Sequence, residues 1–261
     1  YGRWMGTVES AECFDPLFFG ISPREAEYMD PQQRLFLQAC WHALEDAGYD
    51  PTRLADARCG VFAGCSANDY GQTQPSDANL HGMTGSEISV LAGRVAYHLD
   101  LHGPCVAIDT ACSSSLVAVV QAANSLRQGG CDLALAGGVC VMAGPRMHLL
   151  TAKAGMLSRR GRCATFDEDA DGFVPAEGVG VVVLKRLADA RRDGDVVDAV
   201  LAGWGTNQDG RTNGITAPNL AAQSALQEEV YRGFGIDPST LQLVECHGTG
   251  TRLGDPIEVD A

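Results

Sequence analysis

Between Cys105 and Leu126 the chain changes character twice within a few residues, and the rest of the sequence reads as organised around that stretch. An apolar run, Val106-Ala107-Ile108, stops at Asp109-Thr110. Ala111, Cys112 and three serines follow, and then Leu116, Val119, Val120, Ala123 and Leu126 recur at three- and four-residue steps. That spacing predicts one face of a helix, so the stretch is expected to be strand, tight turn and helix with a cysteine at the turn. A thiol at a helix N-terminus feels the positive end of the dipole and unpaired backbone N–H groups, which favours its thiolate. The same N–H groups are able to hold the oxyanion formed when a thiolate attacks a thioester. The small neighbours Ala111, Ser113, Ser114 and Ser115 let backbone and substrate approach closely. Against this stands the commonest fate of a free cysteine, burial as a small structural hydrophobe. The stretch by itself leaves both readings open.

The flanking chain supplies elements for such an elbow to rest on. Residues 1–29 carry aromatics and turn residues without a sustained period, which predicts an irregular covering segment with short helical turns. Asp30-Pro31 reads as a helix cap followed by Pro at the first helical position. Leu37, Cys40, Trp41, Leu44 and Ala47 form its apolar stripe, and Gly48 is placed to end it. Residues 58–65 predict a buried strand, 66–84 a polar, Gly-rich surface loop, and 86–99 a second amphipathic helix with Ile88, Leu91, Ala92, Val95 and Leu99 on one face. After the elbow helix, closed by Gly129-Gly130, come a strand over 132–142 and a loop-rich stretch over 143–176. Further strands are expected over 179–187, 197–206 and 241–246, with a helix from Leu220 to Phe234 ended by Gly235. This alternation indicates a mixed or parallel sheet, mostly buried, with helices on its faces.

Composition narrows the function classes. The 261 residues are enough for a sizeable core in one or two domains. A formal net charge of -14, with no basic cluster longer than pairs such as Arg159-Arg160, argues against nucleic acid or an anionic membrane as partner. The first residues do not read as a charged-then-apolar leader, and no apolar run is long enough to span a bilayer. The ten cysteines are scattered without a C-x-x-C, which argues against a zinc module and fits a reducing, cytoplasmic setting. The chain begins at Tyr1 and ends at Ala261 inside an incipient helix, so an internal fragment is expected.

Two other stretches carry candidate chemistry. Asp167, Asp169 and Asp171 alternate before Gly172 as in a calcium loop, but position 178, where the bidentate Glu is required, is Gly178. A hydrogen-bonded acidic turn is the preferred reading, and no metal site is expected. His247 follows the strand expected over 241–246 and precedes Gly248-Thr249-Gly250-Thr251, a setting that aims a histidine at a cleft. Cys and His distant in sequence can meet in space to build acyl-transfer sites. Asp255 resembles a helix cap, with Glu258 reaching back to the cap N–H. Asn207, Asp209 and Asn213 are expected to fix loop backbone through side-chain hydrogen bonds.

MDPQQR at 29–34, DTACSSSL at 109–116, NQDGRTNGITAPN at 207–219, HGTGT at 247–251 and GDPIE at 254–258 resemble the β-ketoacyl synthase (ketosynthase) domain of modular type I polyketide synthases. The likeness runs through essentially the whole chain in the family's order. It implies a thiolase-like layered α/β fold (α-β-α-β-α), here incomplete. Residues 1–178 would be the N-terminal half without its first strand, and 179–261 the start of the C-terminal half. Carried over by position, Cys112 would be the nucleophile that takes an acyl chain from an acyl carrier protein. His247 would be one of two histidines that bind the malonyl thioester and promote its decarboxylation. Thr249 and Thr251 would hydrogen-bond the phosphopantetheine arm, which arrives on the carrier as part of the substrate, so no separate cofactor is implied. A homodimer and neighbouring polyketide synthase domains are the implied partners.

The second histidine and the segment donating the second oxyanion N–H would lie beyond Ala261, so the 261 residues alone are expected not to condense. Pro175-Ala176 stands where many members have Arg-Gly, and Cys246 where Ala is usual. The rivals are a fatty-acid-type or thiolase-like condensing enzyme, a non-condensing acyl-transfer domain, and an inactive structural remnant.

Overall fold

The computed structural model describes residues 2–55, 57–66, 69–73 and 80–261. In chain order it contains α1 (Pro23–Tyr28), α2 (Pro31–Asp46), β1 (Cys59–Cys65), α3 (Leu80–Ser86), α4 (Ile88–His98), β2 (Cys105–Ile108), α5 (Ser114–Arg127) and β3 (Leu133–Cys140). Then come α6 (Arg146–Lys153), β4 (Gly178–Lys185), α7 (Leu187–Asp193), α8 (Leu220–Phe234) and α9 (Gly254–Asp260). The chain forms two compact units, each discontinuous in sequence. A sheet unit comprises Thr7–Pro145 and Glu177–Ala199; a loop unit comprises Tyr1–Gly6, Arg146–Ala176 and Val200–Ala261. The strand that begins at the expected 178/179 division, β4, pairs within the sheet unit.

In the sheet unit the strand order is β2-β1-β3-β4. β1 runs parallel to both β2 and β3, while β3 pairs antiparallel with β4. The period-2 alternation of the central strands decides which helix each face receives. Val61, Ala63, Leu133 and Leu135 point to one face, where Phe36, Leu37, Cys40 and Leu44 of α2 and Leu91, Ala92 and Val95 of α4 complete the main core. Each such large side chain, fully buried, contributes about 1.5–3 kcal/mol. Phe62, Ala134 and Ala136 point to the other face against Ala118, Ala122 and Leu126 of α5.

The local signals explain the helix limits. Asp30 caps α2, its Oδ1 accepting the Gln32 N–H at 2.7 Å, and Gly48 turns the chain away at φ +79°. Gly129, at φ +74°, closes α5. In the loop unit Asn219 caps α8 by accepting the Ala222 N–H, and Gly235 ends it in the left-handed region.

The structure corrects several expectations. The elbow helix buries Ser114, Ala118, Ala122, Ala123 and Leu126, whereas Leu116 is 71% exposed and Val119 and Val120 are half-buried. Over its first turn the helix presents small residues to a sheet that offers little room there, and Ala123 and Leu126 of the expected face are buried further along. Gly64 and Gly138 sit directly beneath its first turn, and a Cβ on Gly138 would lie 2.8 Å from the Ser115 Cβ. β2 is an edge strand with Cys105 and Val106 exposed. The expected loop over 66–84 becomes helical at α3, where Gly85 packs so tightly that a Cβ would strike the Tyr28 carbonyl. Residues 67, 68 and 74–79 of that stretch lie outside the described residues, as does Tyr1. The loop-rich stretch over 143–176 contains α6, and α7 was not expected at all.

Residues 197–206 and 241–246 form no strand, because no ladder partner faces them among the described residues. The first of these packs instead on α8. Trp204 meets Phe234 with ring centroids 4.7 Å apart, and Gly205 lies against Val230 and Leu226. No helix among the described residues is long and apolar enough to cross a membrane.

A Cβ at position 64 would come within 2.5 Å of the Ser114 backbone carbon. Gly64→Ala is expected to cost about 1–3 kcal/mol of stability through this overpacking, read as a lowered denaturant midpoint. Gly93→Ala in α4, where a Cβ meets nothing within 4 Å, is expected to leave stability unchanged or raise it by up to about 1 kcal/mol.

Candidate active site

Cys112 lies in a single 3₁₀ turn, Ala111–Ser113, between β2 and α5. Ala111 holds φ at +55°, a left-handed conformation that costs a non-glycine residue about 1–3 kcal/mol. Local hydrogen bonds sustain it. Asp109 Oδ1 accepts the Ala111 N–H at 3.0 Å, and the Ser113 hydroxyl donates to the Thr110 carbonyl at 2.9 Å. Cys112 is exposed, so the buried-hydrophobe reading of this thiol does not hold. Cys40, Cys59, Cys65 and Cys131 are buried. Burial pushes the Cys59 and Cys65 thiols up to about 12 and raises Cys40 well above the ordinary thiol range.

The second candidate centre lies in the loop unit. His247 is exposed on a turn whose backbone is held by two carboxylates. Glu258 accepts the N–H groups of His247 at 2.5 Å and Gly248 at 2.8 Å. Asp255, only 5% exposed, accepts from Gly250 at 3.0 Å and Thr251 at 3.3 Å through one oxygen and from Phe166 at 2.7 Å through the other. Gly248 and Gly250 take the positive φ values this turn requires, +55° and +66°. Asp255 and Glu258 therefore brace the histidine loop. Neither is the expected cap of α9, because the carboxylates of both turn back to the histidine loop. The Thr249 and Thr251 hydroxyls lie 3.0 Å apart, and Thr251 Oγ1 accepts the Gly254 N–H at 3.1 Å. The loop unit thus gathers His247, Thr249 and Thr251, while Cys112 belongs to the sheet unit.

Other sequence motifs prove to be supports. The 29–34 motif places a buried polar chain between helices: Gln33 Nε2 donates to the Thr84 and Glu87 carbonyls, and its Oε1 accepts from Arg94, which also pairs with Glu25 at 2.7 Å. Burial raises the Asp30 carboxyl above its usual range, against the opposing pull of its hydrogen bonds with Gln32. Past β3, four successive N–H groups end on side-chain oxygens: Val141 on Gln32, Met142 on Glu177, and Ala143 and Gly144 on Asp69. Sequence reasoning missed these braces, because a carboxylate that accepts from distant backbone has no local spacing. In the acidic turn Asp167 accepts from the Asp169 N–H, Asp169 pairs with Arg160 at 2.9 Å, and Asp171 accepts from Ser158 at 2.7 Å. Asn207 donates to the Ala222 carbonyl, as a backbone-fixing residue should.

Residues 1–190 match the family described as the β-ketoacyl synthase N-terminal domain, and residues 198–261 match its C-terminal domain. The chain belongs to the β-ketoacyl synthase family. A phenolphthiocerol/phthiocerol polyketide synthase from Mycobacterium tuberculosis is 51% identical over 99% of this chain and 17% of its own length. Polyketide synthase PksL of Bacillus subtilis is 48% identical over 100% of this chain and 6% of its own. Among solved structures, the ketosynthase from module 6 of the Bacillus subtilis bacillaene synthase superposes with a TM-score of 0.92 at 47% identity, covering 98% of this chain and 45% of that one. The Streptomyces albus oxazolomycin ketosynthase domain OzmH KS7 gives 0.92 at 45% identity, covering 99% and 44%. The fold is thus the thiolase-like α/β fold of ketosynthases, and this chain spans under half the length of those two structures.

Two outcomes follow for the β-ketoacyl synthase chain. Iodoacetamide on the native protein at pH 8 should modify Cys112, whereas Cys59 and Cys65, held protonated and buried, should react only after unfolding; peptide mapping reads the order. Asp255→Ala strips three N–H groups of their acceptor and should cost about 1–3 kcal/mol, with faster amide exchange at Gly250 and Thr251.

Proposed function

We propose that the intact protein carrying this chain is a polyketide synthase ketosynthase that forms carbon–carbon bonds by decarboxylative Claisen condensation. The observation that carries the reading is the exposed Cys112, held in a strained turn at the start of α5, within a chain that belongs to the β-ketoacyl synthase family. The named relatives are polyketide synthases, which favours that branch over a fatty-acid-type condensing enzyme.

In the first half-reaction the Cys112 sulfur attacks the thioester carbonyl of an acyl chain on the phosphopantetheine arm of an acyl carrier protein. A new sulfur–carbon bond forms, the carrier's bond breaks, and the carrier thiol leaves with the proton. Backbone N–H groups at the elbow meet the oxyanion as it develops. In the second, a carrier-bound malonyl-type thioester loses carbon dioxide. A His247 ring N–H stabilises the enolate oxygen, and the enolate carbon attacks the Cys112 thioester. The β-ketoacyl product stays on the carrier, the Cys112 sulfur–carbon bond breaks, and the released thiolate takes a proton from water. Tethering makes both encounters local. Thr249 and Thr251 hydrogen-bond the arm, which is part of the substrate, and no separate cofactor or metal takes part.

Two further assignments belong to this reading. The open edge of β2, with Val106 41% exposed, and the 71% exposed Leu116 on α5 support pairing with a second copy. Ten free cysteines support a reducing, cytoplasmic setting alongside the neighbouring synthase domains.

Cys112→Ala in the intact protein should abolish acyl loading from the carrier, read as loss of the acyl mass increment. His247→Ala should load normally and lower condensation by about 10²–10³-fold, the cost of removing one oxyanion donor. Normal loading of the Cys112 variant rejects the nucleophile. A wild-type protein that loads but never condenses marks a non-condensing transferase.

A further inference from the structure

We infer that Ser114 is a positioning residue that sets the oxyanion-binding N–H of Cys112; this rests on the nucleophile reading above and deepens it. Ser114 is 5% exposed, two residues past the thiol, and its hydroxyl is used twice. It accepts the Thr110 N–H at 2.9 Å and donates to the Ala111 carbonyl at 2.6 Å. One hydroxyl therefore ties the Asp109–Thr110 peptide to the Ala111–Cys112 peptide, bracketing Thr110 and Ala111, the latter held at φ +55°. The Ala111 carbonyl also accepts the Ser114 backbone N–H, so two donors from one residue converge on it.

The consequence lies in the plane of the next peptide. Across a planar trans peptide, the Ala111 C=O and the Cys112 N–H point in opposite directions. Drawing the carbonyl toward Ser114 turns the Cys112 N–H away from the helix, to the side where an acyl oxygen must be held. Ser114 is itself closely packed. A Cβ on Gly64 would lie 2.5 Å from its backbone carbon and 2.7 Å from its carbonyl oxygen, so the central strand backs it without a gap. Ser113, by contrast, is exposed and its hydroxyl bonds to Thr110, leaving the Ala111–Cys112 peptide untouched.

Two reactions of the same sulfur separate positioning from general support. Thioester acylation develops an oxyanion, and alkylation by iodoacetamide does not. The intact protein and its Ser114→Ala and Ser114→Thr variants are offered a short-chain acyl N-acetylcysteamine thioester, and in parallel iodoacetamide, with Cys112 modification followed by mass. Ser114→Ala should acylate ~10-fold more slowly or worse while alkylating at an essentially unchanged rate, because only acylation needs the aimed donor. Ser114→Thr, which keeps the hydroxyl, should restore acylation. If the alanine variant does not fold, Ser114→Cys, close in shape with a weaker donor, should show the same split. Equal slowing of both reactions, or of neither, overturns the inference. A wild-type protein that alkylates at Cys112 but never acylates overturns the nucleophile reading instead.

Discussion

Contact between the backbone of two strands and the first turn of one helix is what the sheet unit depends on. At Gly64 and Gly138 no side chain intervenes, so α5 lies closer to β1 and β3 than any Cβ would allow. That closeness selects Ala118 and Ala122 as the buried side of the helix and Ala134 and Ala136 as the facing side of β3. It also holds the Cys112 turn at the ends of β1 and β2, where open α/β sheets commonly present chemistry. The thiol needs such a seat. A left-handed alanine persists only where its surroundings over-determine it.

Past β3 and at the turn that bears His247, loops that lack a ladder satisfy their N–H groups on carboxylates. Asp69 and Glu177 serve the segment past β3, and Asp255 and Glu258 serve the turn that bears His247. Charge-assisted bonds of this kind are about twice as strong as neutral ones, which suits turns rich in glycine that would otherwise be loose. Part of the net charge of -14 therefore has a structural use. Acidity that argues against nucleic acid as a partner at the level of composition here anchors functional loops.

Legibility followed the range of the forces involved. α2, α4, α5 and α8 were readable because caps and periodic apolar residues are local, and their limits agree to within one or two residues. The elbow was readable for the same reason. The face of α5 was legible only toward its end, where Ala123 and Leu126 are buried as periodicity marks them; over its first turn the sheet glycines admit only small residues, so Leu116 stays outside and Ser114 goes in. The segments over 197–206 and 241–246 have strand-like composition, but a strand exists only where another backbone exchanges hydrogen bonds with it. α3 carries two glycines and a polar composition, and forms because Gly85 fits against the carbonyl of Tyr28.

By itself the sequence determined helices α2, α4, α5 and α8, the four strands of the sheet, the turn that bears Cys112, the turn that bears His247, and the family to which their motifs are similar. These depend on interactions within a few residues, or on the wording of short motifs. Only the tertiary structure decided that β2 is an edge, that Ser114 is buried beneath the elbow, and that Glu258 and Asp255 brace the histidine loop rather than cap a helix. Each of those depends on which distant backbone comes within hydrogen-bonding or van der Waals reach, and spacing along the chain carries no record of that distance.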